Sequence, residues 1–349
     1  KMAEDLKHWT WMGTKLEVED DEWKRQFARM KEAGIDAILP EICSHHHAAY
    51  GSDHLPVQGK WLEQILPLAV EAGLEVHAWM HSMTCTMPEI VEQHPEWYAV
   101  NGKGESTSDK PAYVGYYKFM CPSRPEVHEF LQRRGRELAA YEGLTSVHLD
   151  YIRLPDVILA SSLQPKYNIV QDREYREYDY CYCDVCRGMF KEQAGVDPLD
   201  LGDPSASDEW RQFRCDRISY LVKEMLSPII RAAGKQVTAA VFPNWHHVRQ
   251  QWSVWDLDGV LPMLYHSFYE EDIAWVKTEC EKGVASLPES VPLYSGLFVS
   301  ALTPEELPEA VWASIEGGAK GVSLFASGSM SDAHWEKFAE VNREMGKLT

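Results

Sequence analysis

The sequence has little basic charge and no long apolar run, and each absence excludes a class of protein. Its 34 Lys and Arg residues are outnumbered by 54 Asp and Glu, for a formal charge of −20 at pH 7. Nucleic acids and anionic membranes bind basic surfaces, so we expect neither as a partner. No stretch reaches the ~20 apolar residues of a membrane span. The oligomeric state stays open, as does the compartment, which is cytoplasmic, periplasmic or extracellular.

A glycine-rich phosphate loop is also missing after the first strand-like segment, where a nucleotide-binding open sheet carries one. Residues 11–17 read WMGTKLE instead. The chain does contain a repeated alternation of a short apolar segment and an amphipathic one, which often ends in glycine. The eight apolar segments lie at 8–13, 35–43, 74–81, 146–155, 236–244, 257–266, 291–299 and 319–327.

This alternation predicts the fold. Near-continuously apolar strands that are separated by helices indicate a parallel sheet, and eight of them fit a closed barrel. We therefore predict an α/β fold, a single (β/α)8 TIM barrel over residues 1–349. A long cysteine-containing excursion follows the fourth strand, and we assign its residues 156–207 as a zinc-binding insertion on the top face. Active sites of this fold lie at the C-terminal ends of the strands.

Two acids lie at predicted strand ends. Asp150 follows the fourth strand in SVHLDYIRLP (146–155), and Glu41 ends the second. Acids at these positions of a barrel are commonly functional. The alternative for Asp150 is a buried carboxylate that pairs with Arg153. Other acids that a loop or helix could bring in are Asp156, Asp179, Glu270 and Glu271.

The segment YDYCYCDVCR (178–187) contains three cysteines in a C-x-C-x2-C spacing. Cysteines this close are poorly placed to pair with one another, and the thioredoxin-like context of a redox C-x-x-C is missing. Three thiolates from one tight loop suit tetrahedral Zn²⁺, which takes a fourth ligand. Cys121, before the third barrel helix, is the best candidate for it. We expect the other cysteines to be small apolar residues: Cys43, Cys85, Cys215 and Cys280.

The cysteine pattern resembles the four-cysteine zinc site of glycoside hydrolase family 42 β-galactosidases, in which a cysteine before helix 3 joins a C-x-C-x2-C cluster after strand 4. This resemblance implies a structural zinc ion bound by Cys121, Cys181, Cys183 and Cys186. Family 42 carries one catalytic Glu on strand 4 and another on strand 7. This chain has Asp150 on strand 4 and no acid near the end of strand 7, so we do not transfer that mechanism.

The strand-4 segment is similar to that of the "family 10-like" glycoside hydrolases. These barrels have a Gly-x-His-x-Asp-Tyr-x-Arg-x-Pro pattern on strand 4, and Ser146 here replaces the usual Gly. The resemblance also rests on HPEWYAVNGKG (94–104), RPEVHEFL (124–131) and WDLDGVLPMLYHSFY (255–269), and it spans roughly residues 8–330. It implies an O-glycosyl hydrolase that acts on an oligo- or polysaccharide.

Glycoside hydrolysis normally requires two carboxyl groups that flank the scissile bond. We expect Asp150 as nucleophile or base and Glu41 as acid. Aromatic rings at the strand ends would stack on sugars, and polar groups would bind hydroxyls, although each aromatic fits the core equally well. The candidate substrate-binding residues are Trp11, His46, His47, Trp79, His81, Arg153, Asn244, Trp245, Tyr265 and His266.

Two alternatives belong to other classes of protein. The first is a carbohydrate-binding barrel without catalysis, which the acid-free seventh strand favours. The second is a metal-dependent hydrolase or deacetylase that uses Glu41 and histidines at the strand ends, namely His46, His47, His81 and His266.

Overall fold

The computed structural model describes Ala3 and residues 5–349. Eight strands are present in this part of the chain, and neighbouring strands of the sheet run parallel to one another. They are β1 (Trp9–Met12), β2 (Ala37–Cys43), β3 (Glu75–His81), β4 (Ser146–Asp150), β5 (Gln236–Val241), β6 (Gly259–Pro262), β7 (Ser295–Phe298) and β8 (Val322–Phe325).

The sheet closes on itself. Its strand order is β6-β5-β4-β3-β2-β1-β8-β7. The outer strands β6 and β7 meet through two parallel bridges, Val260 with Leu293 and Met263 with Gly296. The predicted (β/α)8 barrel is thereby confirmed.

Ten α-helices accompany the strands in the described residues. They are α1 (Asp20–Ala33), α2 (Trp61–Glu71), α3 (Pro88–Gln93), α4 (Pro125–Ala139), α5 (Asp184–Ala194), α6 (Asp208–Tyr220), α7 (Ser227–Ala232), α8 (Ile273–Ser286), α9 (Glu306–Glu316) and α10 (Asp332–Glu344). Short 3-10 turns, without an α-helix, connect β5 to β6. None of the helices in the described part of the chain has the length and apolar character that crossing a membrane requires.

The first helix shows why the sequence pattern predicted these elements. In α1 the residues Trp23, Phe27, Met30 and Ala33 recur at helical spacing, and all four are buried. Three acidic residues occupy its first turn, where they favour the positive end of the helix dipole. Gly34 ends the helix with φ of 104°, a left-handed conformation that glycine adopts without steric cost.

The amphipathic stretch over 208–234 does not form one continuous helix but is divided into three segments. A π-helical segment, Leu221–Leu226, separates α6 from α7. Pro228 lies in the first turn of α7 and has no N–H for an intrahelical bond, so the backbone widens before it. The preceding excursion contains α5 and the 3-10 turns Ser161–Tyr167 and Arg176–Tyr178.

Two apolar clusters account for the core. The larger one lies between the sheet and the helices. The smaller one fills the inside of the barrel and consists of Trp9, Trp11, Ala37, Leu39, Trp79, Ala240, Leu261 and Tyr294. Its aromatic rings lie inside the barrel, beneath the residues at the strand ends.

Candidate active site and metal centre

A cavity of about 690 Å³ opens at the C-terminal ends of the strands. The two predicted acids, Asp150 and Glu41, both line it. Aromatic side chains form much of the remaining wall, and the loop after β4 covers one side with apolar residues. The cavity therefore brings carboxyl groups together with flat apolar surfaces, which is the composition of a site for a small polar ligand.

Asp150 is the last residue of β4 and is only 7% exposed. The indole Nε1 of Trp79 donates to its Oδ2 at 2.9 Å, and the backbone N–H of Tyr151 donates to its Oδ1 at 2.7 Å. Burial raises the pKa of this carboxyl group above its ordinary value, and the charge of His81, both hydrogen bonds and the charge of Arg153 only partly oppose the shift. A buried acid with a raised pKa is suited to donate a proton.

The residue after Asp150 has an unusual backbone conformation. Tyr151 has φ of 50°, in the left-handed region that a bulky side chain rarely adopts. The backbone N–H groups of Ser82 and Met83 donate to the carbonyls of Asp150 and Tyr151 at 2.8 and 3.1 Å, and so hold this turn in place. Such conformations cost roughly 1–3 kcal/mol and concentrate at functional sites.

Glu41 lies on β2 at a register shift between β2 and β3. Such irregularities often redirect side chains next to active sites. The hydroxyl of Thr14 donates to Glu41 Oε1 at 3.2 Å, and His81 Nε2 lies 3.2 Å from Glu41 Oε2. Burial raises the pKa of Glu41, but the bond and charge of His81, with Thr14 and His47, outweigh it, so the pKa is lower than usual.

His81 belongs to β3, the strand between those of the two acids. It is 4% exposed, and among the described residues neither ring nitrogen has a well-aligned hydrogen-bond partner, although Nε2 lies 3.2 Å from Glu41 Oε2. Its charge acts on both Asp150 and Glu41. The imidazole therefore approaches Glu41 directly and belongs to the residue that pairs with Asp150 across the sheet.

The histidine run after β2 packs against this centre. His45 is buried, and its ring centroid lies 4.2 Å from that of His81. Burial lowers the pKa of His45 to about 2, with help from the neighbouring His81, His46 and Arg153. Burial also lowers the pKa of His47. His46 is exposed, and its Nδ1 contacts the Thr86 hydroxyl at 2.5 Å.

Arg153 does not form the ion pair with Asp150 that was the structural alternative for that acid. Its guanidinium instead lies 3.1 Å from Asp156 Oδ1 and donates to the Tyr117 hydroxyl at 3.3 Å. The ring of Phe242 lies against it, with its centroid 4.5 Å from the guanidinium carbon. Arg153 is thus committed to protein partners although it lines the cavity.

The structure brings most of the predicted substrate-binding residues to the cavity. Those that line it are Trp11, His46, His47, Trp79, His81, Arg153 and Tyr265. Three others do not line it, namely Asn244, Trp245 and His266. The last two begin 3-10 turns beyond β5 and β6, and a contact with a larger ligand stays a prediction for all three.

Several cavity residues were missed from the sequence. Most of them are loop residues that carry no strand-end signal, and the aromatic content of 113–117 was the main available indication; Phe242, which directly follows β5, is the exception. They include Tyr116, Tyr117, Leu159, Leu163, Lys166, Tyr167, Phe242 and Phe268. Of the other candidate acids, Asp156 lines the cavity, whereas Asp179, Glu270 and Glu271 do not.

The four predicted cysteine ligands meet in one buried group. The sulfur atoms of Cys121, Cys181, Cys183 and Cys186 all lie within 4.8 Å of one another. Cys121 Sγ is 3.5 Å from that of Cys183 and 3.6 Å from that of Cys186. A tetrahedral zinc–thiolate centre with Zn–S near 2.3 Å requires S–S separations of roughly 3.8 Å. The group is therefore of the size to hold a metal ion.

Backbone N–H groups point at these sulfurs. Those of Val100, Ser123 and Cys186 donate to Cys181, Cys121 and Cys183 at 3.5, 3.4 and 3.4 Å. Such bonds stabilise thiolate charge and orient metal ligands. The other cysteines, 43, 85, 215 and 280, are buried free thiols, as expected for small apolar residues.

A buried ion network fastens the excursion to the barrel. Asp179 Oδ1 lies 3.0 Å from Arg249 and also pairs with Arg214, and all three side chains are at most 3% exposed. Arg249 further pairs with Glu174 at 3.0 Å. Asp179, a candidate catalytic acid from the sequence, therefore has structural partners.

The protein is a parallel (β/α)8 barrel. Two acids lie in an aromatic-walled cavity at the C-terminal ends of its strands, which is where barrel enzymes have their active sites. Residues 9–314 match the family described as Glycosyl hydrolase-like 10, and the chain belongs to this family. The predicted family 10-like resemblance is thereby confirmed. No curated protein matches the sequence significantly.

Solved structures with this fold include several glycoside hydrolases. A β-galactosidase from the psychrophilic Marinomonas ef1 has a TM-score of 0.69 at 11% identity, over 98% of this chain and 60% of that chain. The catalytic domain of a Paenibacillus polymyxa β-amylase has a TM-score of 0.67 at 11% identity, over 99% of both.

A family 42 β-galactosidase from G. stearothermophilus, in a catalytic mutant, has a TM-score of 0.66 at 13% identity, over 98% of this chain and 56% of that one. The predicted likeness to family 42 is thus present in the fold, and in this chain the four cysteines of the predicted cluster lie close together. This chain spans about 60% of the length of the Marinomonas enzyme. At these identities the likeness concerns the fold alone.

Proposed function

We propose that this protein is a glycosidase that hydrolyses an O-glycosidic bond of an oligo- or polysaccharide with Asp150 and Glu41 as its two carboxyl groups. One observation carries the proposal: two acids in one aromatic-walled cavity have pKa values shifted in opposite directions. Pairs of acids separated in this way are how an enzyme keeps one carboxyl protonated and the other ionised at the same pH.

The directions of these shifts support roles opposite to those that we expected from the sequence. Asp150 is the buried group with the raised pKa, so it is the general acid that protonates the leaving oxygen. Glu41 has the lowered pKa and stays ionised, so it activates water or attacks the anomeric carbon. His81, 3.2 Å from Glu41, keeps the second group in its charged form.

The separation of the two carboxyl groups decides the stereochemical outcome. Glu41 lies on β2 and Asp150 on β4, the strands on either side of β3. Retaining enzymes need a separation of about 5 Å, whereas inverting enzymes leave about 6.5–9.5 Å for a water molecule. Glu41 is therefore proposed as the nucleophile of a retaining reaction or as the base of an inverting one.

We further infer that the metal held by the cysteine group is zinc. An all-thiolate tetrahedral set with no open position is the donor set of structural zinc. When bound, zinc would cross-link the loop before α4 to the excursion after β4 and would take no part in hydrolysis. Cys121 would hold it from the first segment, and Cys181, Cys183 and Cys186 from the second.

The metal-dependent hydrolase is the weaker alternative. In the described residues, the four-cysteine set alone places three or more His, Cys, Asp or Glu ligand atoms close enough together for a metal ion. Glu41 and the strand-end histidines do not form such a group. The carbohydrate-binding barrel without catalysis remains a competing outcome of the experiment below.

Hydrolysis of a panel of aryl glycosides and oligosaccharides tests the proposal. We expect Asp150→Asn and Glu41→Gln each to reduce turnover by at least about 10²-fold while zinc content and fold are retained. Glu271→Gln, an exposed acid outside the cavity, is the matched control and should be unaffected. The anomer released first, followed by proton NMR, distinguishes a Glu41 that attacks the sugar from a Glu41 that activates water.

Each alternative predicts a different result. Turnover that survives Asp150→Asn would remove that residue from the mechanism. Glycan binding without hydrolysis in any variant would identify a carbohydrate-binding barrel. Activity that a chelator abolishes without unfolding the protein, and that added metal restores, would identify a metal-dependent hydrolase.

A further inference from the structure

The barrel interior contains polar side chains that the proposed chemistry does not use. His77, Ser146, His148 and Thr238 are all fully buried, each 0% exposed. They lie on β3, β4 and β5, below the two acids, and connect the amino-terminal side of the barrel to the cavity floor. Buried polar groups in a core are costly unless each one is hydrogen-bonded.

These groups form one continuous chain of contacts. Lys7 Nζ lies 2.8 Å from Glu75 Oε1, and Glu75 Oε2 lies 2.9 Å from His77 Nε2. His77 Nδ1 is 2.5 Å from the Ser146 hydroxyl, which is 3.3 Å from that of Thr238.

The chain continues upward from Thr238. The Thr238 hydroxyl is 2.9 Å from His148 Nδ1, and His148 Nε2 is 3.2 Å from the indole Nε1 of Trp11. Trp11 is 1% exposed and lines the catalytic cavity.

The two ends determine the direction of every hydrogen bond. An indole N–H is only a donor, so His148 Nε2 must accept from Trp11 and the proton of His148 must be on Nδ1. A carboxylate is only an acceptor, so His77 must donate to Glu75 from Nε2 and accept at Nδ1. Burial lowers the pKa of both imidazoles, which keeps each ring neutral with one proton.

Because the donors and acceptors at both ends are assigned, only one set of directions remains for the hydrogen bonds between His148 and His77. His148 Nδ1–H donates to the Thr238 hydroxyl, Thr238 donates to Ser146, and Ser146 donates to His77 Nδ1. Each group then donates once and accepts once, and the two histidines are opposite tautomers. Ser146 supplies the central link, at the position where the family 10-like pattern has glycine.

We propose that this oriented chain, from Glu75 through His77, Ser146, Thr238 and His148, holds the indole of Trp11 immobile as the floor of the catalytic cavity. His148 is the positioning residue, because it is the group that accepts from Trp11. The role given to Trp11 rests on the proposed function, whereas the chain itself does not. A ring held in this way meets a sugar without losing side-chain freedom on binding.

Histidine tautomers test the chain directly. In two-bond ¹H–¹⁵N spectra of ¹⁵N-histidine-labelled protein, we expect His148 protonated on Nδ1 and His77 on Nε2, with assignment by His148→Gln and His77→Gln. An Nε2-protonated or rapidly averaging His148 would overturn the proposal. This measurement uses the wild-type protein and requires no turnover, so an inactive protein can still satisfy it.

Hydrogen exchange of the Trp11 indole N–H, assigned with Trp11→Phe, tests the positioning role. We expect Thr238→Val to accelerate this exchange by about five-fold or more, because His148 Nδ1 then lacks an acceptor. Thr107→Val is the matched control: its buried hydroxyl donates to the Phe119 carbonyl at 2.6 Å, outside the chain.

Unchanged Trp11 protection in Thr238→Val would refute the positioning role. Equal acceleration in both threonine variants would refute it as well, since general loosening would then explain the effect. If Thr238→Val does not fold, Thr238→Ala removes the same acceptor of His148 Nδ1, and the same exchange comparison applies with Thr107→Ala as its control.

Discussion

The hydrogen bond from Trp79 to Asp150 allows the roles of the two acids to be tested through pH. The bond is 2.9 Å long, is buried, and favours the ionised form of Asp150. In Trp79→Phe this donor is lost while an aromatic ring remains. A hydrogen bond to a charged group contributes about 1.5–3 kcal/mol, and one pKa unit corresponds to about 1.4 kcal/mol. We therefore expect the pKa of Asp150 to rise by about one to two units.

The assay is the pH dependence of kcat/KM, which reports the ionisations of the free enzyme. A general acid must be protonated, so Asp150 controls the alkaline limb, where activity is lost as the acid ionises. Trp79→Phe should move this limb to higher pH and leave the acidic limb, which Glu41 controls, in place. The matched control is Trp11→Phe, which makes the same replacement in the same cavity wall. The indole N–H that this variant loses donates to His148 and not to an acid.

The direction of the shift discriminates between the assignments. Movement of the acidic limb to higher pH would show that Asp150 works in its ionised form, as nucleophile or base, and would refute the role proposed here. A profile identical to that of the wild type would mean that Asp150 does not titrate in the reaction at all.

Three further predictions concern other parts of the molecule. His81→Phe should raise the pKa of Glu41 and move the acidic limb of kcat/KM up by about one unit; an unmoved limb would contradict the 3.2 Å pairing. Purified protein should contain one zinc per chain by elemental analysis, and Cys121→Ser should lower both zinc content and Tm; a metal-free protein of unchanged Tm would refute the structural role. Asp179→Asn should reduce the free energy of unfolding by about 3–5 kcal/mol, because Arg214 and Arg249 would be left buried without their partner. Burial raises the pKa of Asp179, but both arginines outweigh burial and lower it to about 2. The wild type should therefore lose this contribution to stability as the pH falls from ~4 toward 2. An Asp179→Asn variant with the same acid-unfolding curve as the wild type would contradict the prediction.

The cavity also explains why so much aromatic content is found in loops. Tyr116 stacks on His45 with ring centroids 4.8 Å apart, and Tyr113 stacks on Tyr178 at 4.9 Å. The first pair lies at the cavity, and the second joins the loop before α4 to the excursion. The aromatic residues of these loops therefore have two roles: some face the cavity, and others attach the excursion to the barrel.

The sequence by itself determined the barrel, its top face, the candidate acids and the four cysteines that meet. These features were accessible because hydrophobic periodicity is local and because a parallel barrel brings its strand ends to one face. Even the shortest strands, such as β6 with four residues, were detectable as apolar segments. Their limits were less accurate, since the segment predicted over 146–155 is a strand only as far as Asp150.

Only the tertiary structure revealed the surroundings of the two candidate acids. Whether Asp150 pairs with Arg153 depends on Asp156, three residues further along the same loop, and on Tyr117, which the fold brings to the guanidinium from the loop before α4. Which acid holds its proton depends on burial and on His81, a residue of a third strand. A pKa depends on the charges and donors within a few ångströms of a group, and in a barrel those neighbours come from segments far apart in the chain.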